Sequence, residues 1–213
     1  MTMKPLQLMD LGVREYGEVY ELQKSLLLRR IADEIDDTLI FVEHPHVVTV
    51  GRRLDAQKNI FDRSMPVVEI ERGGDVTYHG PGQLVGYPIL KLEGSERDLH
   101  GYLRRLEDAL ISTATALGLP GGRNPGWTGM WLGEKKVASI GIAVRRWVTF
   151  HGFALNVCTD LQRFSAIQPC GLPAVVMTSL EAALGRPITV DEVKPLVAAG
   201  LSAALQRELR RET

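Results

Sequence analysis

The spacing of apolar residues along the chain predicts several amphipathic helices. Val19, Leu22, Leu26 and Leu27 recur at helical spacing, so a first helix is predicted over residues 15–33. Longer helices are predicted over residues 95–119 and 189–209, and a short one over 178–185. Each begins with polar residues spaced for a capping box: Ser95 and Asp98, Thr189 and Glu192, Thr178 and Glu181.

Runs of β-branched and alternating apolar residues predict strands between the first two helices and after the second. Residues 37–51 contain two such runs around "EHPH", which predicts a strand pair closed by Gly51. Further strands are predicted over residues 65–72 and 83–92, and a hairpin over 128–157. This order of elements predicts one α+β domain, a mixed sheet with flanking helices, over residues 1–213.

Composition excludes several classes of function. The chain has 213 residues, 45% of them hydrophobic, and a net charge of -1. These are ordinary globular values without the basic excess of a nucleic-acid-binding protein. No apolar run has the length of a membrane span, and the N-terminus lacks a signal-peptide pattern. We therefore expect a cytoplasmic protein that binds neither membrane nor nucleic acid, with its two cysteines as free thiols.

The stretch "RGGDVTYHGPG", residues 72–82, is dense in glycine between two predicted strands. Turn chemistry alone explains Gly73 and Gly74. A phosphate loop would need a lysine after the glycines, and a dinucleotide-binding turn would open a helix, so both fit poorly. A third interpretation, which we favour, is that bare backbone approaches a ligand closely and presents N–H groups to it.

Candidate chemistry lies in one cysteine and one lysine. Cys170 stands in "QPCGLP", an irregular loop of the kind that often carries nucleophiles, although a lone cysteine is more often an inert thiol. Cys158 ends an alternating strand and is expected to be structural. Lys136 begins an apolar strand and is expected to point inward, whereas Lys135 is expected to be solvated. His44 and His46 have no further ligands nearby in sequence, so no metal site is predicted.

Three motifs in this order resemble the lipoate–protein ligase B family: "ERGGDVTYHGPGQLVGYP", "KKVASIGIAVRRWVTFHGFALNV" and "IQPCG…MTSL". The resemblance implies the fold of the biotin/lipoate ligase catalytic domain. It implies that Cys170 accepts the acyl group and that Lys136 activates it. It also implies that an acyl site is lined by three segments: Arg72, Gly73, Gly74, Asp75, Val76, Thr77, Tyr78 and His79; Ser139, Ile140 and Gly141; Gly152, Phe153 and Ala154.

The reaction implied by this resemblance moves an octanoyl group from octanoyl-acyl carrier protein to a lysine of a lipoyl domain. The implied acceptors are the lipoyl domains of 2-oxoacid dehydrogenase complexes and the glycine cleavage H protein. No cofactor and no ATP are expected. The alternatives are an ATP-dependent lipoate or biotin ligase of the same fold, a non-enzymatic binding module or amidotransferase subunit, and a thiol hydrolase.

Overall fold

The computed structural model describes residues 3–211, apart from the side chains of Cys170 and Arg211. Its helices are α1 (Tyr16–Ile31), α2 (Leu99–Ala116), α3 (Leu180–Leu184) and α4 (Val190–Leu205). Its strands are β1 (Lys4–Val13), β2 (Asp37–Glu43), β3 (Val47–Val50), β4 (Val67–Glu69), β5 (Val76–His79), β6 (Gln83–Ile89), β7 (Gly121–Asn124), β8 (Trp127–Leu132), β9 (Lys135–Arg145), β10 (Val148–Asn156) and β11 (Arg207–Arg211).

Eight strands form one mixed sheet in the order β11-β1-β2-β6-β10-β9-β8-β7, and β4, β3 and β5 form a small second sheet. Strand β1 pairs in parallel with both β2 and β11, whereas the other pairs of the large sheet are antiparallel. The predicted α+β class, a mixed sheet flanked by helices, is confirmed. The assignment of residues 1–213 to one catalytic domain stays a prediction.

Alternation along the central strands buries both faces of the large sheet. In β2, Leu39 and Phe41 pack in the core cluster that contains α2 and α4, while Ile40 and Val42 pack in the cluster that contains α1. Because side chains of a strand alternate between its faces, this division places α1 on one side of the sheet and α2 and α4 on the other. No helix in residues 3–211 is both long and apolar enough to cross a membrane.

The predicted strand pair over residues 37–51 is wrong in its pairing. Strand β2 pairs with β1 and β6, whereas β3 pairs with β4 and β5 in the small sheet. The segment between them carries the chain from one sheet to the other. His44 fixes this segment, because its ring nitrogens lie 2.8 Å from the Arg14 carbonyl oxygen and 2.9 Å from the Tyr87 hydroxyl.

The predicted last helix also ends earlier than its pattern suggested. Gln206 has a left-handed backbone with φ of 55°, which terminates α4. Arg207 then begins β11, and its guanidinium is anchored 2.7 Å from a carboxylate oxygen of Asp37 and 2.7 Å from one of Glu96. The long-range ion pairs of Arg207 thus favour a strand over continued helix.

Only one of the predicted capping boxes forms as expected. Thr189 and Glu192 exchange hydrogen bonds at the start of α4. At α2 the cap is Asp98 alone, which accepts from His100 N, because Ser95 lies in a separate 3-10 turn. At α3 the cap is Ser179, one residue after the predicted Thr178.

Candidate active site

A β-bulge turns Lys136 into the protein. Across β8 and β9, Met130 pairs with Ala138 but Trp131 pairs with Lys136, so β9 carries one extra residue at this point. Lys136 is only 2% exposed, and its Nζ lies 5.5 Å from the centre of the Trp131 ring. Its carbonyl oxygen accepts a hydrogen bond from Thr178 N at 2.9 Å. Lys135, in contrast, is exposed.

Glycines at the end of β3, in residues 72–74 and in β9 allow these three backbone segments to approach one another closely. A Cβ at Gly51 would lie 2.5 Å from Gly74 O, and one at Gly141 would lie 3.0 Å from Arg72 Cδ. Gly73 N donates to Ile142 O at 2.9 Å. Glycine is therefore needed at these positions first of all because protein segments pack closely there. This packing holds residues 72–74 against β9.

A narrow cavity of about 50 Å³ lies beneath this contact. Its walls contain most of the residues predicted for an acyl site: Arg72, Gly73, Gly74, Thr77, His79, Ser139, Ile140, Gly141, Gly152, Phe153 and Ala154. They also contain five residues that the prediction did not include: Tyr16, Ile70, Val85, Tyr87 and His151. We call this space the acyl cavity.

Three residues of the predicted acyl site lie outside the acyl cavity. Because β5 is a strand, Thr77 and His79 face the cavity while Val76 and Tyr78 face the opposite way. Val76 and Tyr78 belong to a separate core cluster, where the Tyr78 ring packs edge-on against Phe164 at 5.2 Å between centroids. Asp75 lines a second cavity instead.

Histidine and tyrosine side chains in the acyl-cavity wall are kept uncharged. Burial lowers the pKa of His79 to about 3 and that of His151 to about 4. Burial also raises the pKa of Tyr16 and Tyr87 well above the ordinary tyrosine value. At neutral pH these four side chains therefore carry no charge, whereas the Arg72 guanidinium in the same wall is charged. Sequence patterns around Tyr16 and Tyr87 gave no signal for this role.

His151 has an unusual backbone for a residue inside a strand. Its φ is 56°, and its N–H donates to the Gln23 side chain of α1 at 2.9 Å. The ring stacks on Tyr20 of the same helix, with centroids 5.8 Å apart. This left-handed kink turns the His151 ring toward α1, so that α1 and β10 close one side of the acyl cavity together.

The second cavity is wider, about 300 Å³, and has more polar walls. Lys136, Asp75 and Arg53 line it together with Trp127 and Thr128. It shares four wall residues with the acyl cavity: Gly73, Gly74, Ile140 and Gly141. The two cavities therefore share a wall along residues 73–74 and β9, and we call the wider one the entrance cavity.

Asp75 connects the entrance cavity to the turn that contains Cys170. Its carboxylate, in a side chain only 1% exposed, accepts from Asn59 Nδ2 at 2.7 Å and faces Arg53 Nη1 at 3.3 Å. Asn59 O in turn accepts from Gln168 N at 2.8 Å. A Cβ at Gly171 would lie 3.3 Å from the Arg53 guanidinium.

The backbone of Cys170 belongs to the 3-10 turn Pro169–Gly171. Its side chain lies outside the described part of the chain, so its predicted role as nucleophile stays a prediction, as does that of Lys136. Cys158 is a free thiol whose pKa is raised by burial. No cluster of three or more metal-ligating side chains occurs among the residues that the structure describes.

Comparison with known proteins identifies the family of this chain. Residues 15–202 match the family described as Lipoyl protein ligase A/B catalytic domain. The chain belongs to the lipoyl protein ligase A/B catalytic-domain family. Two relatives, both named octanoyltransferase, come from Syntrophotalea carbinolica and Geobacter sulfurreducens. The first is 50% identical over 90% of this chain and 90% of its own length, and the second 52% identical over 91% and 82%.

Solved structures of this family confirm the predicted fold. One shows an archaeal lipoylation system from Thermoplasma acidophilum, a bi-partite lipoate protein ligase and its E2 lipoyl domain. It superposes with a TM-score of 0.74 at 19% identity, covering 100% of this chain and 88% of that one. The predicted resemblance to the lipoate–protein ligase B family is likewise confirmed by the two octanoyltransferase relatives.

Proposed function

We propose that this protein is an octanoyltransferase that moves an octanoyl group from a carrier thioester to a lysine amine of lipoyl domains. The single observation that carries this proposal is the identity of about half of all aligned residues with octanoyltransferases over nine-tenths of the chain. These relatives confirm the predicted class of enzyme, an acyltransferase. The apolar cavity beside a buried lysine supports the same reaction.

The proposed first step forms an acyl-enzyme. The ammonium group of Lys136 lowers the pKa of the Cys170 thiol, and the thiolate attacks the carbonyl carbon of the donor thioester. The bond from this carbon to the donor sulfur breaks and a bond to Cys170 Sγ forms, and Lys136 gives a proton to the departing donor sulfur, which leaves as a thiol while Lys136 becomes a neutral amine. Exchange of one thioester for another is near thermoneutral, so this step needs no ATP.

The second step moves the acyl group to the acceptor. A neutral lysine amine attacks the acyl-enzyme, the bond to Cys170 Sγ breaks, and an amide forms, which is downhill. The proton lost from the amine passes to Lys136 or to the departing thiolate. His79 is less suited to accept this proton, because burial lowers its pKa to about 3.

Backbone N–H groups near the reacting carbonyl would stabilise its negative charge in both steps. Gly73 N already donates to Ile142 O, and Gly171 N donates to Gln168 O. Neither is available to a substrate without breaking a bond of the fold. Gly74, which lines both cavities, is therefore our candidate donor from residues 72–74.

The partners follow from the reaction. We propose octanoyl-acyl carrier protein as donor and, as acceptors, lipoyl domains of 2-oxoacid dehydrogenase complexes and the glycine cleavage H protein, all met in the cytoplasm. An ATP-dependent ligase is the less supported alternative. The relatives named octanoyltransferase share about half of their residues with this chain, whereas the lipoate ligase structure shares 19%.

Intact-mass measurement tests this proposal directly. The protein is mixed with octanoyl carrier protein without ATP, and a lipoyl domain is then added. We expect a mass gain of one octanoyl group on the enzyme, absent in Cys170→Ser, slowed in Lys136→Met and retained in the matched control Cys158→Ser. The octanoyl group then appears on the lipoyl domain. Transfer that requires ATP, or an acyl group still carried stably by Cys170→Ser, would contradict the proposal.

A further inference from the structure

The two cavities adjoin each other, because four residues line both of them. If the protein acts as proposed above, the octanoyl chain occupies the acyl cavity, whose histidine and tyrosine side chains are uncharged at neutral pH. The reacting carbonyl then lies where the cavities meet, beside Gly74 and within reach of Lys136. A thioester continues beyond its sulfur atom, so the rest of the donor must extend into the entrance cavity.

The outer wall of the entrance cavity comes from the β7–β8 hairpin. Asn124 pairs with Trp127 across a tight turn, in which Gly126 has a φ of 83°. Trp127 is 37% exposed, an unusual setting for the largest apolar side chain, and it lines the cavity together with the exposed Thr128. The hairpin thus contributes one tryptophan and one threonine to the wall of this space.

We infer that Trp127 and Thr128 form the binding site for the thiol arm of the acyl donor, a flexible chain of amide-linked units such as pantetheine. This inference rests on the proposed function. A tryptophan ring packs against an extended ligand chain while its indole N–H remains exposed to solvent. A threonine hydroxyl both donates and accepts hydrogen bonds, as an amide group requires. Leu103 of α2 and Ile142 of β9 complete the apolar part of the wall.

Trp147 provides a matched control for Trp127. It has almost the same exposure, 36%, but it lies at the β9–β10 turn, where the Arg97 guanidinium sits 5.8 Å from the ring centre. It lines neither the acyl cavity nor the entrance cavity. A general effect of removing a half-exposed tryptophan should therefore appear equally in Trp127→Ala and Trp147→Ala.

The experiment compares two donors that carry the same acyl group, octanoyl pantetheine thioester and octanoyl ethyl thioester, at saturating lipoyl domain. We expect Trp127→Ala to lower kcat/KM about tenfold for the pantetheine donor, mainly through KM, and less than about twofold for the ethyl donor. Trp127→Phe should recover most of the loss. Thr128→Val should lower kcat/KM for the pantetheine donor about threefold to tenfold. Trp147→Ala should affect neither donor.

Three results would overturn the inference. Equal losses with both donors would show that Trp127 acts on the acyl group or on the fold. A loss confined to transfer from the preformed acyl-enzyme to the lipoyl domain would assign the hairpin to the acceptor. Unchanged kinetics in Trp127→Ala and Thr128→Val would remove any role in donor binding. Absence of octanoyl transfer by the wild-type protein from octanoyl-acyl carrier protein as well as from both small donors would instead overturn the proposed function, and this inference with it.

Discussion

The backbone N–H of Gly129 donates to a carboxylate oxygen of Glu107 at 3.1 Å, and this bond fixes the strand that packs against Lys136. A Cβ at Gly129 would lie 3.0 Å from Lys136 Cε. The Glu107 side chain is 1% exposed, and its other oxygen accepts from Arg104 and Arg123, each at 2.7 Å. Glu107 therefore positions Lys136 through Gly129 without contacting a substrate.

Glu107→Ala should slow acyl-enzyme formation about tenfold with little change in KM, because the bulge that aims Lys136 loses its anchor. Arg104→Ala is the matched control. It removes one ion pair from Glu107 but leaves the bond to Gly129. If single-turnover rates fall equally in both variants, the effect comes from lost stability and not from the position of Lys136.

Asp75 should hold the turn Pro169–Gly171 in place through Asn59. Asp75→Asn weakens the contact with Asn59 Nδ2 and with the Arg53 guanidinium, so we expect faster amide exchange at Gly171 and acyl-enzyme formation slowed about fivefold to fiftyfold. Hydrogen-exchange mass spectrometry of residues 168–172 measures the first effect. Asp62→Asn, at an exposed carboxylate, should change neither, and unchanged exchange in Asp75→Asn would contradict this role.

Filling the acyl cavity should shift chain-length preference. Ala154 lines the cavity and is 5% exposed, so Ala154→Val occupies space that the last carbons of an octanoyl chain need. Each CH₂ that no longer fits removes about 0.8 kcal/mol of binding. We expect kcat/KM for octanoyl donors to fall and that for hexanoyl donors to be retained. Ala143→Val, in the same core cluster but outside the cavity wall, should leave the ratio of the two unchanged.

Stability should fall as the pH is lowered below about 6.5. Burial lowers the pKa of His44 to about 4 and that of His79 to about 3, whereas both titrate near 6.5 in the unfolded chain. Between these values the unfolded state binds more protons, so unfolding becomes easier as pH falls, by about 1–2 kcal/mol for each histidine between pH 7 and pH 5. Urea unfolding of His44→Gln should show a smaller loss over this interval. An identical pH dependence would contradict the burial argument.

An acidic carrier protein needs a basic contact surface, for which the sequence offers the pairs Arg29–Arg30, Arg52–Arg53, Arg104–Arg105 and Arg145–Arg146, and we favour Arg52–Arg53. Arg53 lines the entrance cavity, whereas Arg30 is buried against Asp37 and Arg104 is paired with Glu107. We expect Arg52→Ala to lower kcat/KM for octanoyl carrier protein about threefold at low salt and less at high salt, with octanoyl ethyl thioester unaffected. Arg29→Ala, at an exposed site on α1, is the control; an equal effect there would contradict this assignment.

The sequence predicted helices and strands well where a periodic apolar pattern met a local end signal. The start of helix α4 at the capping box of Thr189 is an example. The sequence-based predictions failed where contacts between residues far apart in the chain determine the structure. Strands β2 and β3 look like a hairpin, yet each finds its partners elsewhere, and β11 forms because Arg207 reaches Asp37 and Glu96.

The same limit applies to the candidate site. Motifs located most of the acyl-cavity wall, and alternation within β5 explains why Val76 and Tyr78 point away from it. Tyr16 reaches the cavity from a helix far away in sequence, and nothing local marks it. The apolar strand that Lys136 begins predicted its inward orientation, which its 2% exposure confirms, whereas the bulge beside it was not predicted.

The hydrogen bond from Gly73 N to Ile142 O has a consequence for solubility. Pairing between β8 and β9 extends only to Ala138, and beyond this point the loop of residues 72–74 occupies the side of β9. Uncovered strand edges recruit strands from other molecules. The loop of residues 72–74 therefore shields the sheet from edge-to-edge aggregation, and substitutions that free this loop should lower the molecule's monodispersity and open the cavity that the loop lines.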